Sequence, residues 1–74
     1  MLAQHEVVQR DPEILAGEPV FVGTRVPLRN LFDYLEAGDS LETFLDAFPD
    51  VTREQAVSAL ELAREAMTAS ASSR

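Results

Sequence analysis

Acidic residues occur in closely spaced pairs along the chain, and paired carboxylates are an arrangement that could bind a metal ion or carry out acid–base chemistry. The pairs are Asp11 with Glu13, Asp33 with Glu36, Glu42 with Asp46, and Glu61 with Glu65. No histidine or lysine accompanies them, and each pair falls on a surface predicted to face solvent. We therefore interpret the pairs as solvated acidic faces.

Patterns for nucleophilic or cofactor chemistry are also missing from the sequence. It contains no cysteine, no glycine-rich phosphate loop and no histidines at metal-ligand spacing, and its serines concentrate near the C-terminus, where nothing would activate them. The single histidine, His5, falls in a predicted strand. We therefore expect a protein that is not an enzyme, with no catalytic residue, no metal site and no cofactor.

The charge of the chain favours a basic partner. The formal net charge is −7, and residues 30–74 hold nine acidic residues against three arginines. This balance opposes non-specific binding to nucleic acid, which depends on neutralising phosphates. No apolar stretch approaches the roughly 20 residues of a membrane span, and the N-terminus lacks the features of a secretory signal. We expect a cytoplasmic protein without membrane contact.

The spacing of apolar and turn residues predicts two short strands followed by three helices. The strands are expected at residues 5–10 and 20–22, and the helices at residues 27–37, 41–47 and 53–68. Three helices joined by tight turns are typical of a helix-turn-helix core. We expect a mainly α fold with a short N-terminal β element, forming one domain over residues 1–68 followed by a flexible tail over residues 69–74.

Boundary residues support these helices. Pro27 suits the first turn of the first helix, and Gly38 suits its C-terminal stop. Ser40 is expected to cap the second helix, and Thr52 with Gln55 forms a capping box for the third. The predicted core faces are Leu28, Leu31, Phe32 and Leu35 on the first helix and Leu41, Phe44, Leu45 and Phe48 on the second.

The third predicted helix has an apolar arc wider than half its circumference. Placing residues at about 100° steps gives an inward face of Ala56, Val57, Leu60, Ala63 and Met67, an adjoining stripe of Ala59, Leu62 and Ala66, and a solvent face of Glu54, Ser58, Glu61, Glu65 and Thr68. Because two shorter helices can hardly cover the whole arc, we expect another chain to cover the adjoining stripe, with Glu54, Glu61 and Glu65 beside it. The alternative is that alanine serves as a good helix former and Leu62 is a lone surface leucine.

Four arginines are the residues that could contact nucleic acid: Arg10, Arg25, Arg29 and Arg53. A recognition helix normally offers Arg, Lys, Asn or Gln to base edges, and on the third helix only Arg53 and Gln55 could do so. We therefore rank a protein partner above operator DNA.

The segment Gly23-Thr24-Arg25-Val26-Pro27 is the most distinctive part of the sequence. Gly23 indicates a positive φ or a close backbone approach, and Pro27 holds Val26 extended. Arg25 could bind carbonyls or a carboxylate such as Asp11 and lock strand to helix. It could equally contact a phosphate or a partner. We favour the structural role.

The stretch from Ala16 to Pro27 resembles the signature of a bacterial and archaeal family, domain of unknown function 433. The family pattern is an acidic-Pro-Glu-Ile element followed by Gly-x-Pro-Val-x-x-Gly-Thr-Arg-hydrophobic-Pro. Further matching elements are Asp11-Pro12-Glu13-Ile14, Ala37-Gly38, Phe48-Pro49 and Val51-Thr52-Arg53-Glu54, so the resemblance spans about residues 7–67. The chain departs from the pattern at Ala16, where glycine is commoner, and at Glu18, where a basic residue is usual.

This resemblance implies a homeodomain-like three-helix fold and a role in a type II toxin–antitoxin pair. Members are often encoded beside a PIN-like toxin and act as its VapB-type antitoxin. The expected function is thus binding and inhibition of a PIN-like ribonuclease, as a homo-oligomer or a hetero-oligomer with the toxin. The alternative is a DNA-binding regulator, including one that represses its own operon.

Overall fold

The computed structural model describes residues 2–72. Within them the helices are α1 (Gln4–Val7), α2 (Leu28–Glu36), α3 (Leu41–Ala47) and α4 (Arg53–Ser72), and the strands are β1 (Val8–Gln9) and β2 (Val20–Phe21). The prediction of a mainly α chain with a short N-terminal β element is confirmed. The described residues form four helices where three were predicted, because a helical turn precedes the first strand.

The N-terminal segment begins as a helical turn, whereas the sequence predicted a strand over residues 5–10. The Glu6 carboxylate accepts a hydrogen bond at 3.0 Å from the backbone N–H three residues earlier, which stabilises the first turn. The Val7 side chain enters the core and is only 1% exposed. The Leu2 N–H donates a hydrogen bond of 2.9 Å to the Ser58 Oγ atom. The segment is therefore fastened against α4.

The two strands pair to form a small antiparallel sheet. The register pairs Val8 with Phe21 and Gln9 with Val20. On its other side, β2 is bridged by Pro27, which lies opposite Val20. Both residues of β2 are buried, so this strand is the centre of the β element.

The connection between the strands contains an unusual backbone turn. Asp11 accepts the Glu13 N–H on its Oδ1 atom at 2.9 Å, as is common for aspartate in a turn. A 3-10 turn follows, in which Leu15, Ala16 and Gly17 have φ values of 51°, 55° and 87°. A non-glycine residue in this left-handed region costs about 1–2 kcal/mol.

Local signals place the ends of α2 and α3. Beyond α2, Gly38 has a φ of 92°, its N–H donates to the Leu35 carbonyl at 3.0 Å, and the Asp39 N–H donates to the Tyr34 carbonyl at 2.9 Å. This pattern is a Schellman motif and confirms Gly38 as the stop. Ser40 accepts the Thr43 N–H at 3.1 Å, as expected of the residue that caps α3.

The core is organised around the ring of Phe44, which is fully buried. Ring centroids of Phe48, Tyr34 and Phe21 lie 5.1, 5.7 and 6.1 Å from it. The predicted core position Phe32 is wrong: it is half-buried and lies outside the hydrophobic cluster. The face of α2 that meets α3 includes Tyr34 instead, since this ring packs edge-on against two phenylalanines.

The long helix α4 starts at its predicted cap. The Thr52 Oγ1 atom accepts the Gln55 N–H at 3.0 Å, and the Gln55 Oε1 atom accepts the Thr52 N–H at 3.1 Å, which confirms the capping box. The helix continues to Ser72, so the predicted end near residue 68 is too early. Ser73 and Arg74, the end of the predicted tail, lie outside the described residues.

The second half of α4 extends past the rest of the described chain. All side chains over residues 64–71 are exposed. The helix has high intrinsic stability there because alanine recurs in it. Over residues 2–72, no helix has the combination of length and apolar character needed to cross a membrane.

Candidate protein-binding groove

An apolar groove with a volume of about 220 Å³ lies between α4 and the N-terminal segment. Its partly or fully exposed lining consists of Gln4 from α1, Val8 from β1, Leu28 at the start of α2, and Leu62, Ala63 and Ala66 from α4. Polar groups contribute little to the lining. The groove is therefore suited to apolar side chains of a partner.

The floor of the groove belongs to the core. Val7 is 1% exposed and Ala59 is 6% exposed, and both line the groove. Ala59 was expected to be covered by another chain, but the N-terminal segment of the same chain packs over it and leaves only a small part of it at the floor of the groove. Leu62 is half-buried and Ala66 is exposed. The expected apolar stripe is thus one wall of a groove.

A second depression, of about 650 Å³, adjoins the apolar groove and shares Val8 and Leu28 with it. It is lined by polar side chains that include His5, Gln9 and Arg10. The Arg10 guanidinium donates a 3.3 Å hydrogen bond to the Gly17 carbonyl. One end of the combined groove is therefore basic.

The solvent-facing surface of α4 is acidic. The side chains of Glu54 and Glu65 are exposed and form no ion pair or hydrogen bond within residues 2–72. Glu61 accepts hydrogen bonds from Arg64 at 3.0 and 2.7 Å. These bonds, and then the charge of Glu61, raise the pKa of the Arg64 guanidinium above its ordinary value. A partner that crosses this surface meets the carboxylates of Glu54 and Glu65, which form no ion pair, and the pair of Glu61 with Arg64.

The predicted inward face of α4 is partly wrong. Val57 is 39% exposed and Met67 is 73% exposed, although both were expected to face the other helices. Ser58, expected in solvent, is 1% exposed because its hydroxyl accepts the Leu2 N–H. Packing against the N-terminal segment turns the buried face of the helix towards Ser58 and Ala59.

Intramolecular contacts engage three of the four arginines proposed for nucleic acid. Arg29 pairs with Glu18 at 2.9 Å, Arg53 pairs with Glu42, and Arg10 binds a carbonyl as described above. All three remain exposed at the surface. Each nevertheless has its charge partly neutralised or its geometry fixed by the protein itself.

Gln55 was a proposed reader of base edges, and the structure contradicts this. The residue is 9% exposed, and its Nε2 atom donates a 3.0 Å hydrogen bond to the Val22 carbonyl. Its Oε1 atom is engaged in the capping box. Gln55 therefore joins the start of α4 to the loop that follows β2.

The segment Gly23-Thr24-Arg25 is a turn built around a buried threonine. The Thr24 N–H and Oγ1 both donate to the Phe21 carbonyl, at 3.0 and 2.9 Å, and Oγ1 accepts the Val26 N–H at 3.0 Å. Gly23 has a φ of 80°, as the third residue of a type II turn requires. Gly23 has the positive φ that its place in the sequence indicated, and Pro27 contributes to the turn through its bridge to β2.

Arg25 departs from the structural role we favoured. It is exposed at the end of this turn and has no hydrogen bond or ion pair with any residue from 2 to 72. The expected lock onto Asp11 is therefore wrong, since Asp11 uses its carboxylate in its own turn. Arg25 offers a free guanidinium to an external group.

The acidic pairs considered for chemistry remain separate. Asp33, Glu36, Glu42 and Asp46 are all exposed. Among the described residues, no group of three or more His, Cys, Asp or Glu side chains is arranged to hold a metal ion.

Residues 8–63 match the model of the family described as "Protein of unknown function (DUF433)". The chain is 40% identical over 55 residues to a curated relative, "Uncharacterized protein y4eO" of Sinorhizobium fredii. That match covers 74% of this chain and 25% of the relative, so the chain spans about a quarter of the relative's length.

A crystal structure of a DUF433 member protein from Anabaena variabilis has a similar fold, with a TM-score of 0.70. The two sequences are 23% identical, and the alignment covers 81% of this chain and 59% of the other. The fold of this chain is therefore similar to one that a distant sequence also adopts.

Proposed function

The chain belongs to the DUF433 family, and from that premise and the groove geometry we propose that it is the antitoxin of a type II pair, binding and inhibiting a PIN-like ribonuclease. The observation that carries the proposal is the unpartnered apolar wall made by Leu62, Ala63 and Ala66 on α4, a helix whose solvent-facing surface is acidic. Contiguous apolar surface framed by charge is a common feature of protein-binding sites. The VapB-type assignment comes from the resemblance, and we propose that the protein acts in the cytoplasm.

The charge distribution supports this kind of partner. A ribonuclease needs a basic channel for RNA, and this chain has a net charge of −7. Glu54 and Glu65 are free to meet basic side chains of the toxin. The apolar wall would supply most of the affinity, and the carboxylates would supply orientation and a faster encounter. Inhibition follows if the bound α4 obstructs the path of RNA to the catalytic centre.

A DNA-binding regulator is the second candidate, and Arg25 is the observation that favours it. A homeodomain-like arrangement of α2, α3 and α4 would place the turn of Arg25 beside the start of α4, because Gln55 ties the two together. The engagement of Arg10, Arg29 and Arg53 within the chain, and the acidic edge of α4, weaken this candidate. We therefore place it second.

The test is co-expression with the product of the neighbouring reading frame, followed by size-exclusion chromatography with light scattering. The informative variant carries Glu61→Lys with Glu65→Lys, and the matched control carries Asp33→Lys with Glu36→Lys on α2, which changes the net charge equally. We expect the unaltered chain to form a complex with a PIN-like protein. The Glu61→Lys, Glu65→Lys variant should lower the affinity of this complex at least about tenfold, and the control should leave the affinity unchanged. A complex weakened equally by both, or no complex with a PIN-like protein, contradicts the proposal.

A further inference from the structure

The α4 wall of the groove has the spacing used in helix–helix packing. Ala59, Leu62, Ala63 and Ala66 stand at positions i, i+3, i+4 and i+7, and all four line the groove. Such a stripe forms the ridges between which side chains of a second helix insert. Three of the four are alanines, which permit a close approach of the two helix axes.

The opposite wall completes a trough of defined length. Val8 and Leu28 come from β1 and α2, and both are held by the sheet and its bridge to Pro27. From Ala59 to Ala66 the helix axis rises about 10 Å, which is two helical turns. The trough therefore fits a short helical segment bearing two or three large apolar side chains on one face.

Charges around the trough specify those of its occupant. Glu65 is one helical turn from Leu62 on the same surface, is exposed, and forms no ion pair within the described chain. Glu61 adjoins it and is already paired with Arg64. The other end of the groove is lined by Arg10 and His5, and a basic residue of the partner is disfavoured there. A complementary helix carries lysine or arginine along the edge that faces α4.

We infer that the groove is a docking site for a two- to three-turn amphipathic helix of a partner protein, with an apolar face and a basic flank beside Glu65. The inference rests on the protein-binding part of the proposed function and names the element of the partner that binds. A second copy of this acidic chain is disfavoured as the occupant, because its own α4 would bring glutamates towards Glu61 and Glu65.

The experiment is a two-dimensional NMR titration of the full chain with two synthetic helical peptides of equal length, one built from leucine and lysine and its twin from leucine and glutamate. We expect the lysine peptide to shift the backbone signals of Val8, Leu28, Leu62 and Ala66, and the glutamate peptide to leave them unchanged. Shifts spread over the exposed acids of α2 and α3 overturn the inference, as does equal binding of both peptides.

Two variants separate specific docking from general charge attraction. Ala66→Phe fills the groove at an exposed position, and Val57→Phe places the same ring on an exposed part of α4 that does not line the groove. We expect Ala66→Phe to weaken binding of the lysine peptide at least about tenfold and Val57→Phe to leave its affinity unchanged. Equal effects of the two variants overturn the inference.

Other outcomes distinguish this inference from the proposed function. A free protein that light scattering shows to be a dimer through the groove would assign the groove to a second copy and overturn the inference. Groove-specific binding of the lysine peptide, with no complex formed with the neighbouring gene product, would support the docking site while removing the antitoxin assignment. A toxin complex that Ala66→Phe does not weaken would support the antitoxin assignment and overturn the docking site.

Discussion

Replacement of Thr24 by valine is predicted to destabilise the turn that joins β2 to α2. The hydroxyl of Thr24 donates to the Phe21 carbonyl at 2.9 Å and accepts the Val26 N–H at 3.0 Å, and the residue is 8% exposed. Each such bond contributes about 1 kcal/mol net, and valine also leaves the Val26 N–H without its partner. The expected loss is about 2–3 kcal/mol, which lowers the melting temperature of so small a domain by roughly 8–24 °C.

Urea unfolding followed by far-UV circular dichroism measures this effect, and Thr24→Ser is the matched control. Serine keeps the hydroxyl and loses only a methyl group, so its cost is expected to be below about 1 kcal/mol. The order of stability should therefore be the unaltered protein, then Thr24→Ser, then Thr24→Val. A valine variant as stable as the serine variant would refute the view that hydrogen bonding by Thr24 holds this turn.

Three further predictions use the same unfolding measurement. Ala16→Gly should raise the free energy of unfolding by up to about 1 kcal/mol because it relieves a φ of 55°, whereas Gly17→Ala should lower it; the opposite signs would show that this turn is not strained. Gln55→Ala should cost about 2 kcal/mol by removing two side-chain hydrogen bonds, and the control Val57→Ala less than about 0.5 kcal/mol; equal losses would contradict the tie between α4 and the loop. Arg25→Ala should change stability by less than about 0.5 kcal/mol, and a larger loss would mean that this arginine has an internal partner.

Helix boundaries set by neighbouring residues could be predicted from the sequence. Gly38, Ser40 and the pair Thr52–Gln55 act on backbone groups within a few residues of themselves, and all occupy their expected positions. The bounds of α3 match the prediction for the same reason. Such signals depend only on local chemistry, so a single sequence contains them.

Contacts between distant parts of the chain could not be predicted in this way. The bond from Leu2 to Ser58 joins residues 56 positions apart, and it buries a serine that helical spacing placed in solvent. The same packing covers Ala59 and exposes Val57. No periodicity in α4 signals that the N-terminal segment folds over it, although the apolar pair Val7 and Val8 is consistent with that segment having a buried side.

Only one wall of the candidate groove could therefore be predicted from the sequence. The apolar excess of α4 indicated that something must cover Leu62 and Ala66, and these two residues do line the groove. The opposite wall was missed, because Leu28 was assigned to the core and Val8 to an ordinary strand. Both roles depend on where the strand pair meets α4, which is tertiary information.

The measurement that tests the central claim most directly is RNA cleavage by the protein encoded in the neighbouring reading frame, titrated with this chain. We predict that cleavage is abolished near an equimolar ratio and that Glu61→Lys with Glu65→Lys restores it, while Asp33→Lys with Glu36→Lys does not. Cleavage that persists at a large excess of the unaltered chain, or inhibition that survives charge reversal on α4, would contradict the account.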